Sequence, residues 1–333
     1  MVTIKDVARL AGVSFSTVSR VLNQKKSVSP DTYRKVMEAS EILQYTPNSI
    51  ARSLKEGCTN TVALMVPSMR NHIVPEIAQG VEDTARKNGM TVILCNTNED
   101  IGVEKEYLRK LKNQLVDGII VTSMLKSSEH IRALQREGFP LVLAIRHYND
   151  PIDAVAVDNR MAAYRAMEYL IKTGHRKIAI AVGRLELNVY VDRYKGYCEA
   201  LEHYGIALEE ALVLRETSGL ESLYHLVRAM IRDGHQIDAI FATSDPKAIM
   251  VMKALRDCGL RIPQDVAVMG FDNIEISSAL EPPLSTVSQP LYKIGVLAME
   301  KLMAQIRAKV EGKEYKPSLS ILDTELIVRK STE

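Results

Sequence analysis

The stretch A-R-L-A-G-V-S-F-S-T-V-S-R-V-L-N, from Ala8 to Asn23, predicts the fold of the N-terminal part of the chain. Gly12 can adopt the backbone of a tight turn, and Ser14 is a residue type that begins helices. Val18 and Leu22 then recur at helical spacing as part of one apolar stripe. Two short helices that are joined by a glycine turn, the second with a polar face, predict a helix-turn-helix. The second helix of such a unit fits the DNA major groove.

The flanking sequence favours this interpretation over an ordinary helical hairpin in a core. Asp6 lies three residues after Thr3, a capping-box spacing that predicts the start of the first helix at Thr3. Ser29 and Pro30 together predict the start of a third helix, because serine caps helices and proline suits the first turn. The result is a three-helix unit of about 45 residues.

Composition and charge indicate a globular chain of more than one domain that contacts a polyanion. The chain has 333 residues, 46% hydrophobic and 25% charged, with a net charge of +2. Residues 1–60 contain nine basic and five acidic side chains, a net charge of +4, whereas the remainder carries −2. A small basic unit on a slightly acidic body is typical of nucleic-acid binding.

The sequence predicts a cytoplasmic protein without a cofactor or a metal site. The N-terminus contains Lys5, Asp6 and Arg9, which no signal peptide tolerates in its apolar segment. No apolar run approaches the roughly 18 residues that a membrane helix needs. The four cysteines are scattered without metal-ligand spacing, so we expect reduced thiols.

From Thr61 onward, apolar strand-like runs alternate with amphipathic helix-like runs. The predicted strands are 62–66, 92–95, 118–121, 141–144, 154–157, 178–182, 239–242 and 266–270. The predicted helices are 74–87, 103–113, 129–136, 161–171, 191–204, 223–231, 248–257 and 294–306. This alternation predicts an α/β body with parallel sheets. Similar series begin at 61 and at 177, so we expect two doubly wound lobes with a ligand cleft between them.

The segment Ser49–Lys55 could form a short helix between these two parts. Seven residues are too few for a stable isolated helix, so it should fold only against DNA or a second copy of the chain. A plain linker is the alternative. Leu54 favours the helix, because it is apolar and has no obvious core to join.

Four motifs together resemble the LacI/GalR family of bacterial repressors across essentially the whole chain. They are T-I-K-D-V-A-R-L-A-G-V-S-F-S-T-V-S-R-V-L-N, Y-T-P-N-S-I-A-R-S-L-K, T-G-H-R-K-I-A and V-M-G-F-D-N. The resemblance implies a DNA-binding headpiece (1–46), a hinge helix with its linker (47–60) and an effector-binding and dimerisation domain (61–333). This last domain is similar to periplasmic binding proteins, with an N-lobe of about 61–158 and 290–317 and a C-lobe of about 159–289 and 318–333.

The implied function is a sequence-specific DNA-binding transcriptional regulator, acting as a repressor. A small carbohydrate-like effector in the inter-lobe cleft would control it, and pseudo-palindromic operator DNA would be its partner. The alternative is the same regulator under a protein corepressor, as in catabolite control protein. The sequence contains no G-x-S-x-G, H-E-x-x-H or P-loop motif, so we expect no enzyme. No heptad tail precedes Glu333, which predicts a homodimer rather than a tetramer.

The resemblance also implies which residues contact DNA. The base-reading positions are Phe15, Ser16 and Arg20, since arginine can bond guanine and an aromatic ring can contact a thymine methyl. The phosphate-contacting positions are Thr3, Ser14, Thr17, Asn23 and Ser29, which position the headpiece without reading sequence. Leu54 matches a hinge leucine that wedges into the minor groove, with Lys55 beside it.

The implied effector contacts are His72, Ile73, Arg146, Arg193, Asp245 and Asp272. Arg193 and Asp272 most resemble the ligand-contacting pair of the family. Asp245 could instead cap the next helix, and His72 and Arg146 could be solvated loop residues.

Two departures from the family pattern bear on the type of ligand. Leu187 stands where the purine-binding relative has arginine, and Ile73 and Val74 replace its pocket aromatics, which disfavours a purine. Two arginines near the cleft, Arg146 and Arg193, favour an anionic ligand such as a sugar acid or sugar phosphate.

Overall fold

The computed structural model describes residues 2–22, 28–45, 58–113, 116–122, 129–147 and 151–333. It divides into two compact units, Met1–Thr59 and Asn60–Glu333. The predicted hinge helix and residues Asn23, Leu54 and Lys55 lie outside the described residues. We call the first unit the headpiece and the second the body.

The described part of the headpiece contains three helices, α1 (Ile4–Ala11), α2 (Phe15–Leu22) and α3 (Pro30–Ile42). The predicted capping box is confirmed, because the backbone N–H and the hydroxyl of Thr3 donate to Asp6 Oδ2 at 3.0 and 2.7 Å. Gly12 ends α1 with a φ of 66°, the left-handed conformation that a glycine turn requires. One small core holds the helices together, in which Val7, Val18 and Val36 are fully buried.

Two six-stranded sheets make up the strands of the body that the structure describes. The first has the order β11-β5-β4-β3-β1-β2, and all of its strand pairs are parallel. Its strands are β1 (Thr61–Val66), β2 (Thr91–Asn96), β3 (Gly118–Val121), β4 (Leu141–Ala144), β5 (Asp153–Val157) and β11 (Leu319–Leu322). Its helices are α4 (Val74–Lys87), α5 (Ile101–Lys112), α6 (Glu129–Arg136) and α11 (Leu291–Val310).

The second sheet has the order β12-β10-β9-β8-β6-β7, in which only the pair of β10 and β12 is antiparallel among the described strands. Its strands are β6 (Ile178–Val182), β7 (Val213–Arg215), β8 (Ala239–Ala242), β9 (Ala267–Asp272), β10 (Ser285–Ser288) and β12 (Glu325–Ile327). Its helices are α7 (Asn159–Lys172), α8 (Asn188–His203), α9 (Leu220–Arg232) and α10 (Asp245–Asp257).

This architecture confirms the predicted α/β body of two doubly wound lobes, with one difference in the lobe boundaries. Strand β11 pairs with β5 in the first sheet, with Leu319 opposite Ala154 and Leu322 opposite Val157. The first lobe therefore extends through Leu322, and the prediction that assigned residues 318–322 to the second lobe is wrong. Only the segment from β12 onward belongs there.

Glycines bring pairs of helices into backbone contact in both lobes. A Cβ on Gly295 of α11 would lie 2.2 Å from the carbonyl oxygen of Ile77 on α4, and one on Gly80 equally close to the carbonyl oxygen of Tyr292. In the second lobe, a Cβ on Gly196 of α8 would lie 2.2 Å from the carbonyl oxygen of Arg160 on α7. No side chain fits at these crossings, so glycine sets the distance between the helices.

Candidate functional site

The exposed face of α2 carries the predicted base-reading residues. Val18 and Val21 are buried against the other two helices, whereas Phe15, Ser16 and Arg20 are exposed. The Phe15 side chain is 53% exposed, so about half of its apolar surface is available to a partner. A polar helix face with one apolar ring and one guanidinium can contact base edges in a major groove.

Three of the predicted phosphate-contacting residues precede the first residue of a helix. Thr3 precedes α1, Ser14 precedes α2 and Ser29 precedes α3. Ser14 Oγ accepts from the backbone N–H of Thr17 at 3.2 Å and lies 2.8 Å from the Thr17 hydroxyl. Ser29 Oγ likewise accepts from the N–H of Thr32 at 3.3 Å. Helix N-termini attract phosphate through free amide hydrogens and the helix dipole, so these positions suit backbone contacts with DNA.

In the body, the structure brings Arg193 and Asp272 together. Arg193 lies on α8 and is 3% exposed. Its Nε donates to Asn159 Oδ1 at 2.8 Å, and its Nη1 donates to the carbonyl oxygen of Thr243 at 2.6 Å and to Asp272 Oδ1 at 3.4 Å. The guanidinium also stacks on the ring of Phe271, 3.6 Å from its centroid. These contacts fix the guanidinium beside the carboxyl end of the second sheet.

Asp272 ends β9 in an unusual backbone conformation. Its φ is +118°, a value that side-chain-bearing residues rarely adopt. Burial raises the pKa of Asp272 to about 7, the Arg193 charge opposes that rise, and the nearby Asp245 charge adds to it. The strained backbone and the shifted pKa both mark this carboxyl as a candidate for ligand recognition.

Two residues that the sequence reasoning missed complete this site. Gln289 follows β10, and its Nε2 donates to Asp272 Oδ1 at 2.7 Å. The Gln289 Oε1 atom is buried and accepts no hydrogen bond from the described residues. Asn159 begins α7 and accepts from Arg193. We call these four residues, Asn159, Arg193, Asp272 and Gln289, the first subsite.

Asp245, the third charged residue predicted at this site, is held by groups of the chain itself. It is fully buried, and its Oδ2 accepts from the N–H of Ile274 at 2.9 Å and from the Ser277 hydroxyl at 2.6 Å. Its Oδ1 accepts from the Thr286 hydroxyl at 2.6 Å. Burial raises the pKa of Asp245, while the bonds from Ser277, Thr286 and the backbone oppose the rise. The carboxylate thus braces the loop after β9.

A buried ion pair that was not predicted from the sequence lies near the first subsite. Lys247 on α10 is 3% exposed, and its Nζ lies 3.0 Å from Glu216 Oε2, 3.2 Å from the Tyr190 hydroxyl and 3.4 Å from Ser244 Oγ. Burial by itself lowers the pKa of Lys247, but Tyr190 and Glu216 outweigh this effect, and the net pKa is raised. The lysine is therefore a cation held by a carboxylate.

The remaining predicted contacts lie on the first lobe. His72 is exposed, and Ile73 packs against the apolar core of that lobe. Arg146 is half-buried just beyond β4. Leu187 and Val189, which follow β6, are buried in the same apolar cluster as the first-lobe core. The chain's own apolar side chains therefore join the two lobes.

Comparison with known proteins agrees with both units. Residues 3–48 match the family model described as bacterial regulatory proteins, lacI family. Residues 59–322 match the model described as periplasmic binding proteins and sugar binding domain of LacI family.

The chain belongs to the LacI family.

It is 38% identical to a ribose operon repressor from Halalkalibacterium halodurans, over 100% of this chain and 98% of that protein. It is 36% identical to catabolite control protein A from Priestia megaterium, over 90% of this chain and 91% of that protein. A solved lac repressor dimer, bound to operator and the anti-inducer ONPF, has a TM-score of 0.89 and 27% identity over 99% of both chains. A solved complex of the regulator CelR with cellobiose has a TM-score of 0.74 and 32% identity, over 99% of this chain and 100% of that chain.

Membership of this family makes the chain a DNA-binding transcriptional regulator with a body of the sugar-binding type. No helix among the described residues is both long and apolar enough to cross a bilayer.

Proposed function

We propose that this LacI-family member is a homodimeric repressor that a neutral sugar controls by binding at the first subsite. The observation that carries the proposal is the buried hydrogen-bond network of Arg193, Asp272, Gln289 and Asn159. A carboxylate accepts, a guanidinium donates and an amide does both, so together they match sugar hydroxyls, which are donors and acceptors at once. The unpartnered Gln289 Oε1 offers a buried acceptor.

Charge balance supports a neutral ligand over the anionic one that the sequence favoured. Arg193 is paired with Asp272, and the second buried cation, Lys247, is paired with Glu216. Asp245 is a third carboxylate near these two cations, so the second-lobe side of the site offers no excess positive charge. An anionic ligand would also have to displace a carboxylate from its partner, which leaves a buried charge unpaired.

We propose that α2 reads operator bases through Phe15, Ser16 and Arg20. Thr3, Ser14, Thr17, Asn23 and Ser29 would contact phosphates, and Leu54 with Lys55 would enter the minor groove at the operator centre. A homodimer would place two headpieces on a pseudo-palindromic site. Strand β2 supports dimerisation, because it is a sheet edge with Ile93 and Leu94 each 39% exposed.

Control by a protein corepressor is the second candidate. The 36% identity to a catabolite control protein favours it. The junction between the lobes favours it as well, because residues of the chain itself already connect them. Arg184 pairs with Glu99 of the first lobe, and Leu187 is buried against that lobe. Under this function, a partner rather than a sugar would shift the lobes.

A thermal-shift panel tests the proposal. The purified protein is heated with neutral sugars, sugar phosphates, sugar acids and purines. Each compound is present at about 100 times the Kd of a ligand that binds with micromolar affinity. A true ligand then adds about 2.7 kcal/mol to the free energy of unfolding, which is several degrees in Tm. We expect a neutral sugar to stabilise the wild type but not Asp272→Asn, while Asp233→Asn, an exposed control, behaves as wild type. Stabilisation by anionic sugars alone would overturn the neutral assignment. A flat panel would favour the protein corepressor.

A further inference from the structure

The segment between β6 and the first turn of α8 reaches from the second lobe to the first. Leu187 is 3% exposed and Val189 is 8% exposed, and both are buried in the apolar cluster that contains Val66 and Ile145 of the first lobe. Leu185 instead packs against the core of the second lobe. If the lobes moved apart, Leu187 and Val189 would be exposed to water, and the cost of that exposure holds the lobes together.

An ion pair at the start of this segment also crosses between the lobes. Arg184 of the second lobe pairs with Glu99 of the first, and their side chains are 45% and 31% exposed. An ion pair with this much exposure contributes little to stability, because water competes for both charges. The pair forms only in one relative position of the two loops. It therefore selects that position among those that apolar contact alone allows.

The backbone that presents Glu99 is strained. Asn98 and Glu99 have φ values of 51° and 58°, and this left-handed region is one that glutamate rarely adopts. Hydrogen bonds hold the turn in place. The Thr97 N–H and hydroxyl donate to the carbonyl oxygen of Val66 at 3.0 and 3.1 Å, and Asn96 Nδ2 donates to Asn98 Oδ1 at 2.8 Å. Strain of this kind persists only where the surroundings fix it, and it clusters at clamps and switch regions.

The same segment is joined to the first subsite by direct contacts. Tyr190 packs against the cores of both lobes. Its ring covers the backbone of Gly183, where a Cβ would lie 2.6 Å from a ring carbon, and the Gly183 N–H donates to Thr243 Oγ1 at 3.2 Å. The carbonyl oxygen of Thr243 in turn accepts from Arg193. A change at Arg193 can therefore reach the segment through groups that touch one another.

We propose that Arg184, Leu187 and Val189 form a latch that holds the two lobes closed in the absence of an effector. A regulator that is latched in this way rests in the closed arrangement, so an effector or a protein partner acts by releasing the latch. This inference goes beyond the proposed function, because it applies whichever of the two controls the chain.

Hydrogen–deuterium exchange of the full-length protein without any ligand, measured by mass spectrometry, tests the latch. Amide exchange in a folded protein follows the population of the open state, so release of the latch should speed exchange on both sides of the junction. The first-lobe reporter is a peptide that covers residues 97–100, and the second-lobe reporter covers residues 184–189. Each substitution is read at the reporter on the opposite lobe, where it has no local effect on the amides.

Two substitutions weaken the two parts of the latch separately. Glu99→Gln removes one charge of the ion pair, and we expect exchange at the second-lobe reporter to become about threefold faster. Leu187→Ala removes most of a buried side chain, and exchange at the first-lobe reporter should become at least tenfold faster. Val189→Ala, at the second buried position, should act in the same direction.

A matched control and a rescue variant complete the experiment. Lys177→Met breaks a pair with Glu209 that is 52% and 42% exposed and lies within the second lobe, so it should leave the first-lobe reporter unchanged. Exchanging the two charges of the latch, with Glu99→Arg and Arg184→Glu in one protein, should return both reporters to within about twofold of the wild type.

Thermal melting of each variant establishes that it is folded before exchange is measured. If both reporters of the wild type exchange as fast as an unstructured peptide, the lobes are open at rest and the latch is overturned. Variants that speed exchange only in the lobe that carries the substitution, or in neither lobe, would overturn it as well. None of these outcomes depends on whether a sugar binds, so the proposed function is tested separately.

Discussion

Replacing Asp245 with alanine distinguishes a bracing carboxylate from an effector contact. The side chain is fully buried, and two hydroxyls and one backbone N–H donate to it. Hydrogen bonds to a charged group contribute about 1.5–3 kcal/mol each, and an unsatisfied buried donor costs about 1–3 kcal/mol. The removal of a buried charge returns part of this, because burial already raises the pKa of Asp245.

We therefore expect Asp245→Ala to lower the free energy of unfolding by about 3–5 kcal/mol, a loss of roughly 6–10 °C in Tm for a body of this size. Thermal unfolding followed by circular dichroism, with urea unfolding as a second probe, measures the loss. The neighbouring Gly270 supplies a matched test. A Cβ there would lie 2.3 Å from Asp245 Oδ1, so Gly270→Ala should destabilise the wild type and be better tolerated in Asp245→Ala. An Asp245→Ala protein with unchanged Tm and lost sugar binding would refute the bracing role.

Asp272, Gly295 and Arg20 each offer a further test. Burial raises the pKa of Asp272 to about 7, and a sugar hydroxyl needs the ionised carboxylate as its acceptor. Sugar affinity measured by calorimetry should therefore fall about tenfold from pH 8 to pH 6. An unchanged affinity would argue against Asp272 as the acceptor. Gly295→Ala should lower Tm by several degrees, because its Cβ would overlap the Ile77 carbonyl oxygen and overpacking costs about 1–3 kcal/mol. Ala304→Ser, on the exposed face of the same helix, should leave Tm unchanged. Arg20→Ala should weaken operator binding by about 1–3 kcal/mol in anisotropy titrations, with little effect on nonspecific DNA; an equal loss on both DNAs would assign Arg20 to the phosphates.

Local patterns in the sequence predicted the helices and eight of the twelve described strands, because the pattern of apolar residues records which faces are buried. The strands that escaped prediction are β7, β10, β11 and β12, each three or four residues long. Strands this short form because a neighbouring strand hydrogen-bonds with them, and β11 pairs with β5 from more than 150 residues away. No local pattern carries that information, and the lobe boundary was misplaced for the same reason.

The candidate site shows the same division. Arg193 and Asp272 could be expected near the cleft, since ligands bind beyond the carboxyl ends of parallel strands. The part played by Asp245 could not, because the groups that donate to it lie 29 to 41 residues further along the chain. Gln289 was missed because it becomes part of the site only when β10 pairs with β9. Lys247 and Glu216 likewise meet only through the order of the strands.

The central claim is that an effector bound at the first subsite controls DNA binding. Fluorescence anisotropy tests it with a labelled duplex that contains the operator, measured with and without the sugar that the thermal panel selects. Coupling between two sites in a regulator typically amounts to 1–3 kcal/mol, which is a 5- to 150-fold change in affinity. We predict a change of this size in operator affinity for the wild type and for Asp233→Asn, and none for Asp272→Asn at the same sugar concentration. Operator affinity that is identical with and without a bound sugar would contradict the account.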